Sequence, residues 1–167
     1  AYRAGDRVVH TNIHRVKGQV YFNLGLKNAS FREFQKSLDL AVRIDDKAER
    51  DRYVSMAYEN LAIAYDIMKE DPDSSRYYMK KNEQLLATTD ESRTFTNKIN
   101  LFTLIGGHYC DRQQYDSAVS YFNKALSLIT AYDFPYSSYL YRHWGDLHAL
   151  RGDRDSALCC YRKGLEN

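Results

Sequence analysis

Small and aromatic residues recur along the chain at fixed spacings. A small residue is followed three positions later by an aromatic, nine later by a second small residue, four later by an aromatic and three later by a closing position. The four copies are Gly18-Tyr21-Ser30-Phe34-Ser37, Ala62-Tyr65-Ser74-Tyr78-Lys81, Gly106-Tyr109-Ala118-Phe122-Ala125 and Gly145-His148-Ala157-Tyr161-Gly164. They begin 44, 44 and 39 residues apart, a period in the range of repeat proteins, and Lys81 is the one misfit.

The same pattern predicts eight helices paired as A and B within each repeat, with the small residues letting the two helices of a pair approach closely. The A helices are expected near residues 7–25, 50–69, 91–112 and 136–151, and the B helices near 29–45, 73–88, 115–130 and 154–166. Asp51, Ser92 and Ser137 or Ser138 are expected to cap A helices, and Pro72 suits a first helical turn. The predicted fold class is therefore all-α.

Composition narrows the function classes. Hydrophobic residues make up 44% of the 167 residues and charged residues 28%, which is typical of a folded globular chain. The net charge is +2 and basic residues alternate with acidic ones, so nucleic-acid binding by this segment is not expected. Apolar runs are shorter than the roughly 20 residues that cross a bilayer, so membrane insertion by this segment is not expected either.

The three cysteines leave the compartment open. An odd number, with Cys159 and Cys160 adjacent on a helix, requires no disulfide and slightly favours the cytoplasm. The alternative is a periplasmic part of a membrane-anchored protein. Because the chain opens on "AYRAGD" and stops just after a helical pattern, we expect it to be an excerpt of a longer protein.

Candidate chemistry is sparse. His10 and His14 share a helix face at a spacing suited to two metal ligands, but a zinc site needs three or four ligands, so no metal is expected. His108 and Cys110, two residues apart, face away from each other, which argues against a catalytic dyad. All three cysteines are expected to pack as small apolar residues. No cofactor and no catalytic residue is predicted, and the chain is expected not to be an enzyme.

Two segments carry a resemblance to a known family. Trp144-Gly145 precedes "GDRDSALCCYRKGL", and Ile105-Gly106 precedes "YDSAVSYFNKAL". With the four-copy spacing, these resemble the tetratricopeptide repeat, in the extended-period variety found in bacterial sensor and regulator proteins. The resemblance implies one domain over residues 1–167, a right-handed α-α superhelix (solenoid) of about four helix-turn-helix repeats. The repeats are expected near 11–45, 50–88, 91–130 and 136–166.

The family register also implies a concave groove that binds a protein or peptide. The residues it places there are Asn12, Arg15, Gln19, Glu59, Asn60, Ile63, Asn100, Thr103, Tyr139, Arg142, His143 and Asp146. Amides such as Asn60 can bond a peptide backbone, and arginines can take carboxylates in a bidentate manner. Tyr139 is the expected aromatic anchor. The family's carboxylate clamp would use Arg15, Gln19, Asn60, Asn100 and Leu104, where two cations are missing, so a clamp is not expected.

The leading hypothesis is a non-enzymatic binding scaffold, the sensing or docking module of a larger bacterial regulator. A second hypothesis is a self-assembling structural unit, a homo-oligomer formed through apolar helix faces at the ends of the solenoid. A third is a regulator with catalytic groups in the groove, for which Glu59, Asp66 and Asp146 are the only acidic candidates.

Overall fold

The structure is a computed structural model that describes residues 4–135 and 137–166. The described residues form eight α-helices and confirm the predicted all-α class. In chain order the helices are α1 (Ala4–Asn23), α2 (Lys27–Ala41), α3 (Lys47–Lys69), α4 (Pro72–Ala87), α5 (Glu91–Asp111), α6 (Tyr115–Ala131), α7 (Ser138–Leu150) and α8 (Arg154–Glu166). Odd-numbered helices are the A helices and even-numbered helices the B helices.

The chain divides into two compact units, residues 1–97 and 98–167, with the boundary inside α5. In the first unit α1 packs on α2, α2 on α3, and α3 on α4. In the second unit α7 packs on α8 and also contacts α6. The expectation of one solenoid domain over residues 1–167 stays a prediction. None of the described helices is both long enough and apolar enough to cross a membrane.

Aspartates at the turns begin three of the helices. Asp46 accepts a hydrogen bond from the Glu49 backbone at 2.8 Å at the start of α3, and Asp71 does the same for Ser74 at 3.0 Å at the start of α4. Asp153 accepts from the Ser156 N–H at 3.1 Å at the start of α8. Each carboxylate satisfies an amide that the first helical turn leaves without a partner. The pKa values of Asp71 and Asp153 are lowered, chiefly by hydrogen bonds from the side chains of Ser74 and Ser156 and next by the backbone hydrogen bonds from the same two residues.

Two of the predicted caps are wrong. Asp51 lies inside α3, buried and ion-paired with Lys47 one turn earlier at 2.5 Å, because α3 begins three residues before the predicted start. Ser92 lies in the first turn of α5, where its N–H and its hydroxyl both donate to Asp90 Oδ1. Pro72 does occupy the first turn of α4, as predicted. The predicted turns before α6 and α8 are also present, with the left-handed φ angles of +59° at Gln113 and +81° at Gly152.

Glycines on the A helices pack against aromatic rings on the B helices. A Cβ atom added at Gly18 would collide with the ring of Phe34, one at Gly106 with Phe122, and one at Gly145 with Tyr161. Ser30 also reaches Gly18, donating its hydroxyl to the glycine carbonyl at 3.0 Å. Close approach of the two helices therefore depends on the missing side chain, which explains the first and fourth positions of the repeated pattern.

The second repeat departs from the predicted register by one residue. In α4 the buried residues are Ser75, Met79, Asn82 and Leu86, whose spacing repeats that of Ser30, Phe34, Ser37 and Ala41 in α2. Lys81, the misfit of the sequence pattern, is exposed, and its neighbour Asn82 occupies the buried position. The extra residue lies in the connection, because thirteen residues separate Ala62 from Ser75 whereas twelve separate Gly18 from Ser30.

Two glycines of the second unit provide a matched test of this packing. Gly145→Ala is expected to destabilise the protein by about 1–3 kcal/mol, because the new methyl group meets the Tyr161 ring. Gly164→Ala meets only ordinary contacts, the nearest being Ser138 O at 3.4 Å. It should therefore gain up to about 1 kcal/mol from helix propensity. Thermal unfolding followed by circular dichroism measures both, and equal effects of the two substitutions would contradict the packing account.

Candidate functional site

The second unit carries a connected group of polar and aromatic side chains on one face of α7. Tyr139, Arg142, His143 and Asp146 are spaced so that they share a helix face. The Tyr139 and His143 rings meet edge to face, with centroids 4.8 Å apart. The Arg142 guanidinium lies 5.4 Å from the Tyr139 ring centroid and donates to His143 Nε2 at 3.3 Å. Three of the residues predicted for the groove are thus in mutual contact.

A cavity of about 410 Å³ opens beside this group, between α7 and α8. Its lining residues are Ser138, Tyr139, Arg142, Tyr161, Gly164 and Leu165, a set that we call the α7–α8 pocket. The volume is in the range of small-ligand and side-chain pockets. Two phenol rings and one leucine give apolar walls, and Arg142 supplies the positive charge. Such a pocket suits an aromatic or carboxylate-bearing side chain, or the carboxylate at the end of a peptide.

Tyr161 is held in place at this pocket by Asp146. Its phenol O–H donates to Asp146 Oδ1 at 2.8 Å, so the two helices are tied together across the pocket wall. The hydrogen bond to the carboxylate raises the pKa of the Tyr161 phenol. Sequence reasoning placed Asp146 on the binding surface and assigned Tyr161 to packing alone. In the structure Asp146 positions Tyr161, and Tyr161 lines the pocket.

His143 occupies a packed position rather than an open one. Its ring lies over Gly107 of α5, where an added Cβ would come within 3.0 Å of His143 Nδ1. Burial, assisted by the neighbouring Arg142 cation and opposed by Asp146, lowers the pKa of His143 to about 4. The imidazole is therefore neutral near pH 7 and accepts the hydrogen bond from Arg142. Its role at the site is to orient Arg142.

The other two predicted residues of the second unit differ in access. Thr103 is fully buried, and its hydroxyl donates to the Ile99 carbonyl at 2.8 Å. It offers a partner no surface, so the prediction that Thr103 contacts a ligand is wrong. The family register places Thr103 on the exposed face of its helix, whereas in the structure Thr103 lies among the buried positions Leu101, Ile105 and Gly106. Asn100 is half-buried.

In the first unit, three of the predicted polar residues already form hydrogen bonds within their own helices. Asn12 Oδ1 accepts from Arg15 Nε at 3.1 Å and from Arg15 Nη2 at 2.9 Å, which aligns the guanidinium along α1. Asn60 donates its amide to the Met56 carbonyl at 2.8 Å on α3. Gln19 is exposed, and Glu59 and Ile63 are half-buried. These residues lie on α1 and α3, two A helices that contact each other.

A second cavity, which the sequence did not suggest, lies in the first unit. It measures about 240 Å³ and is lined by Asp46, Lys47, Ala48, Asp51, Thr89, Asp90, Arg93 and Thr94. Asp46 and Asp90 are separated by the 44-residue period of the chain, so equivalent turns of two successive repeats meet there. The 44-residue period is the sequence feature from which this meeting of two turns could have been predicted. Two of the carboxylates that line this cavity already have structural partners. Asp46 caps α3, and Asp51 forms an ion pair with Lys47.

The histidine and cysteine side chains that the sequence offers as candidates for metal binding or reactivity differ in their partners and in their burial. His14 Nδ1 lies 2.7 Å from Glu33 Oε2. No group of three or more His, Cys, Asp and Glu side chains within residues 4–135 and 137–166 is arranged to hold a metal ion. Cys110 is buried, and burial raises the pKa of its thiol. Cys159 is exposed on α8, so its predicted role as packed filler is wrong.

Comparison with known proteins bears on the second unit. The family model described as Tetratricopeptide repeat matches residues 98–167, the range of that unit. No curated protein matches the chain. The match includes the glycine–aromatic pairs Gly106–Phe122 and Gly145–Tyr161 together with the α7–α8 pocket. Members of this family are in general scaffolds for protein–protein interaction. Residues 98–167 of this chain are therefore similar to the tetratricopeptide repeat family.

Proposed function

We propose that the chain is a non-enzymatic docking module that binds a protein or peptide partner through its A helices. The observation that carries the proposal is the α7–α8 pocket, where an aromatic ring and an exposed guanidinium line one cavity. Tyrosine and arginine dominate the binding energy of many interfaces when they sit at a preformed depression. The family match supports the protein-binding class.

The chemistry of the pocket favours a partner residue that combines negative charge with apolar bulk. Arg142 can hold a carboxylate by two parallel hydrogen bonds, while the rings of Tyr139 and Tyr161 cover an apolar stem. His143, neutral near pH 7, places no second positive charge beside Arg142. The preferred ligand is therefore an acidic or C-terminal peptide segment with an aromatic or aliphatic neighbour.

The remaining groove residues complete the proposed contact surface. In the first unit they are Asn12, Arg15, Gln19, Glu59, Asn60 and Ile63, and in the second unit Asn100 and Asp146. Amides and paired charges of this kind contact a peptide backbone whatever its sequence, which gives breadth of binding rather than selectivity. Selectivity then rests on the α7–α8 pocket.

We also propose that this module serves a larger bacterial regulator as its sensing or docking part. The support is the extended period, 44, 44 and 39 residues between successive copies. In this role the repeat array binds a partner, and the binding changes the state of the regulator of which the array is a part. No step of that role requires catalysis by the chain.

A peptide selection tests the binding proposal. A phage-displayed peptide library with free C-termini is selected on the chain, and the affinity of the enriched peptide is measured by fluorescence anisotropy. Tyr139→Ala and Arg142→Ala are each expected to weaken binding by at least about tenfold, as befits residues at the centre of a contact. Arg142→Lys should lose most of the same affinity, because lysine cannot form the two parallel hydrogen bonds.

The chain offers a matched control on α4. Arg76 and Tyr77 are an exposed arginine and tyrosine outside the proposed surface, so Arg76→Ala and Tyr77→Ala should leave the affinity unchanged. Equal losses at α4 and α7 would show that the peptide binds through nonspecific charge and aromatic contacts. Unchanged binding by the α7 variants would place the binding surface elsewhere.

A further inference from the structure

One backbone carbonyl of each A helix, seven residues before the first small position of the repeat, differs in its partners from repeat to repeat. In the first repeat the Ser37 hydroxyl donates to the Thr11 carbonyl at 3.0 Å. In the second the Asn82 amide donates to the Ser55 carbonyl at 3.3 Å. Both donors are buried residues of the B helix, so a short polar side chain joins the two helices of each pair at this point.

The third repeat supplies a donor to the same carbonyl from within the A helix. Ala125 of α6 occupies the donor position, is fully buried and carries no polar group. The Thr103 hydroxyl donates instead to the Ile99 carbonyl at 2.8 Å. Serine, asparagine and threonine thus each provide a hydrogen bond to the second lone pair of one equivalent carbonyl.

The fourth repeat has no such donor of its own. The equivalent carbonyl is that of Ser138 on α7, and Gly164 of α8 occupies the donor position. A Cβ atom added at Gly164 would lie 3.4 Å from Ser138 O, so the glycine faces this carbonyl. Within the described residues 4–135 and 137–166, no side chain donates a hydrogen bond to Ser138 O.

The α7–α8 pocket lies where this side chain is missing. Gly164 and Ser138 both line the pocket, together with Arg142. Arg142 is the repeat equivalent of Thr103, and its guanidinium donates to His143 rather than to Ser138 O. The pocket therefore combines a carbonyl acceptor with a guanidinium one helical turn later, on the same face of α7.

We propose that a serine, threonine or asparagine side chain of the partner enters the α7–α8 pocket over Gly164 and donates to Ser138 O. The inference rests on the proposed function of this pocket. The partner's side chain takes the place that Ser37 fills in the first repeat, and a neighbouring carboxylate of the partner binds Arg142. An ionised acidic side chain has only acceptor atoms, so it cannot replace the donor. The pocket thus selects a segment that carries a short donor side chain beside a carboxylate.

Substitution of Gly164 tests the geometry without a ligand. Gly164→Ser gives the fourth repeat the donor that Ser37 gives the first. Its midpoint of urea unfolding should be at least as high as that of Gly164→Ala, although serine is the poorer helix former. A lower midpoint for Gly164→Ser would mean that the hydroxyl does not reach Ser138 O, and it would overturn the proposal.

Peptide binding provides the second readout. A phage-displayed library with free C-termini, selected on the unaltered chain, should be enriched in serine, threonine or asparagine beside the carboxylate. In fluorescence anisotropy, Gly164→Ser should weaken binding of the enriched peptide by at least about tenfold, and Gly164→Ala, which adds a methyl group without a donor, by less. Replacing the peptide's donor residue by alanine should cost about three- to tenfold on the unaltered chain and nothing further on Gly164→Ser.

The outcomes separate this inference from the proposed function. Equal weakening by Gly164→Ser and Gly164→Ala, or a selection that enriches no donor residue, would overturn the role of Ser138 O. Unchanged binding by Gly164→Ser, with binding still lost in Arg142→Ala, would overturn the inference and leave the proposed function intact. Unchanged binding by both variants would overturn the proposed function and this inference with it.

Discussion

Replacing Phe122 by alanine is expected to destabilise the second unit by about 3–5 kcal/mol, the usual loss for a large core aromatic. Phe122 is fully buried, lies directly over Gly106, and has its ring centroid 5.6 Å from that of Trp144. Its removal opens a cavity between α5, α6 and α7, because the backbones of the helices are held apart by the ring. Urea unfolding followed by circular dichroism gives the loss in free energy.

A double substitution shows whether the ring and the glycine act as a pair. Gly106→Ala alone should destabilise by about 1–3 kcal/mol, because its methyl group collides with Phe122. In the Phe122→Ala background the same methyl group enters the space left by the ring, so Gly106→Ala should be neutral or stabilising. The difference between the two effects is the coupling energy of the pair. Additive effects would contradict direct packing of Phe122 on Gly106.

The repeat pattern predicted the fold from sequence because it records a steric requirement. A residue without a side chain on the A helix must face a large ring on the B helix, so Gly18–Phe34 and Gly145–Tyr161 appear as a fixed spacing. The helix ends were predicted to within a few residues for the same reason, since the pattern fixes both helices of a pair. This requirement holds in each unit separately.

The register of α4 could not be predicted because its sequence satisfies two alignments. "SSRYYMKKN" places a large apolar residue four positions after a serine in both alignments, Tyr78 after Ser74 and Met79 after Ser75. Only the fold shows that Asn82 is buried, with its amide donating to the Ser55 carbonyl at 3.3 Å. Ser37 makes the equivalent bond to the Thr11 carbonyl at 3.0 Å in the first repeat. A polar residue that bonds across the helix pair is invisible to a search for small and apolar positions.

The α7 residues of the candidate site were predictable because helical spacing alone brings them together. Their individual roles were not, since burial depends on the neighbouring helix. His143 is covered because Gly107 of α5 leaves room for its ring, and Tyr161 reaches the pocket because Asp146 holds its hydroxyl. Each of these two contacts joins residues on different helices, so the spacing of residues within one helix cannot predict it.

His143 should make the stability of the second unit depend on pH. Its pKa is lowered to about 4 in the fold, chiefly by burial, whereas the unfolded chain binds the proton near the ordinary value of 6.5. Between these values the unfolded state holds more protons, so stability is complete above about pH 6.5 and is lost as the pH falls toward 4. The expected loss from His143 between about pH 7.5 and 4.5 is about 2–3 kcal/mol.

The measurement compares urea unfolding of the unaltered chain and of His143→Phe at the two pH values. Phenylalanine keeps the ring over Gly107 and carries no titratable group, so its free energy of unfolding should fall by about 2–3 kcal/mol less than that of the unaltered chain. Acid loss at other carboxylates and histidines is common to both proteins and cancels in the difference. Equal losses in the two proteins would mean that His143 accepts its proton as easily in the fold as in the unfolded chain. In that case Arg142 would lie beside a second cation at mildly acidic pH. The affinity of the α7–α8 pocket for a carboxylate should then increase, rather than stay constant, as the pH falls.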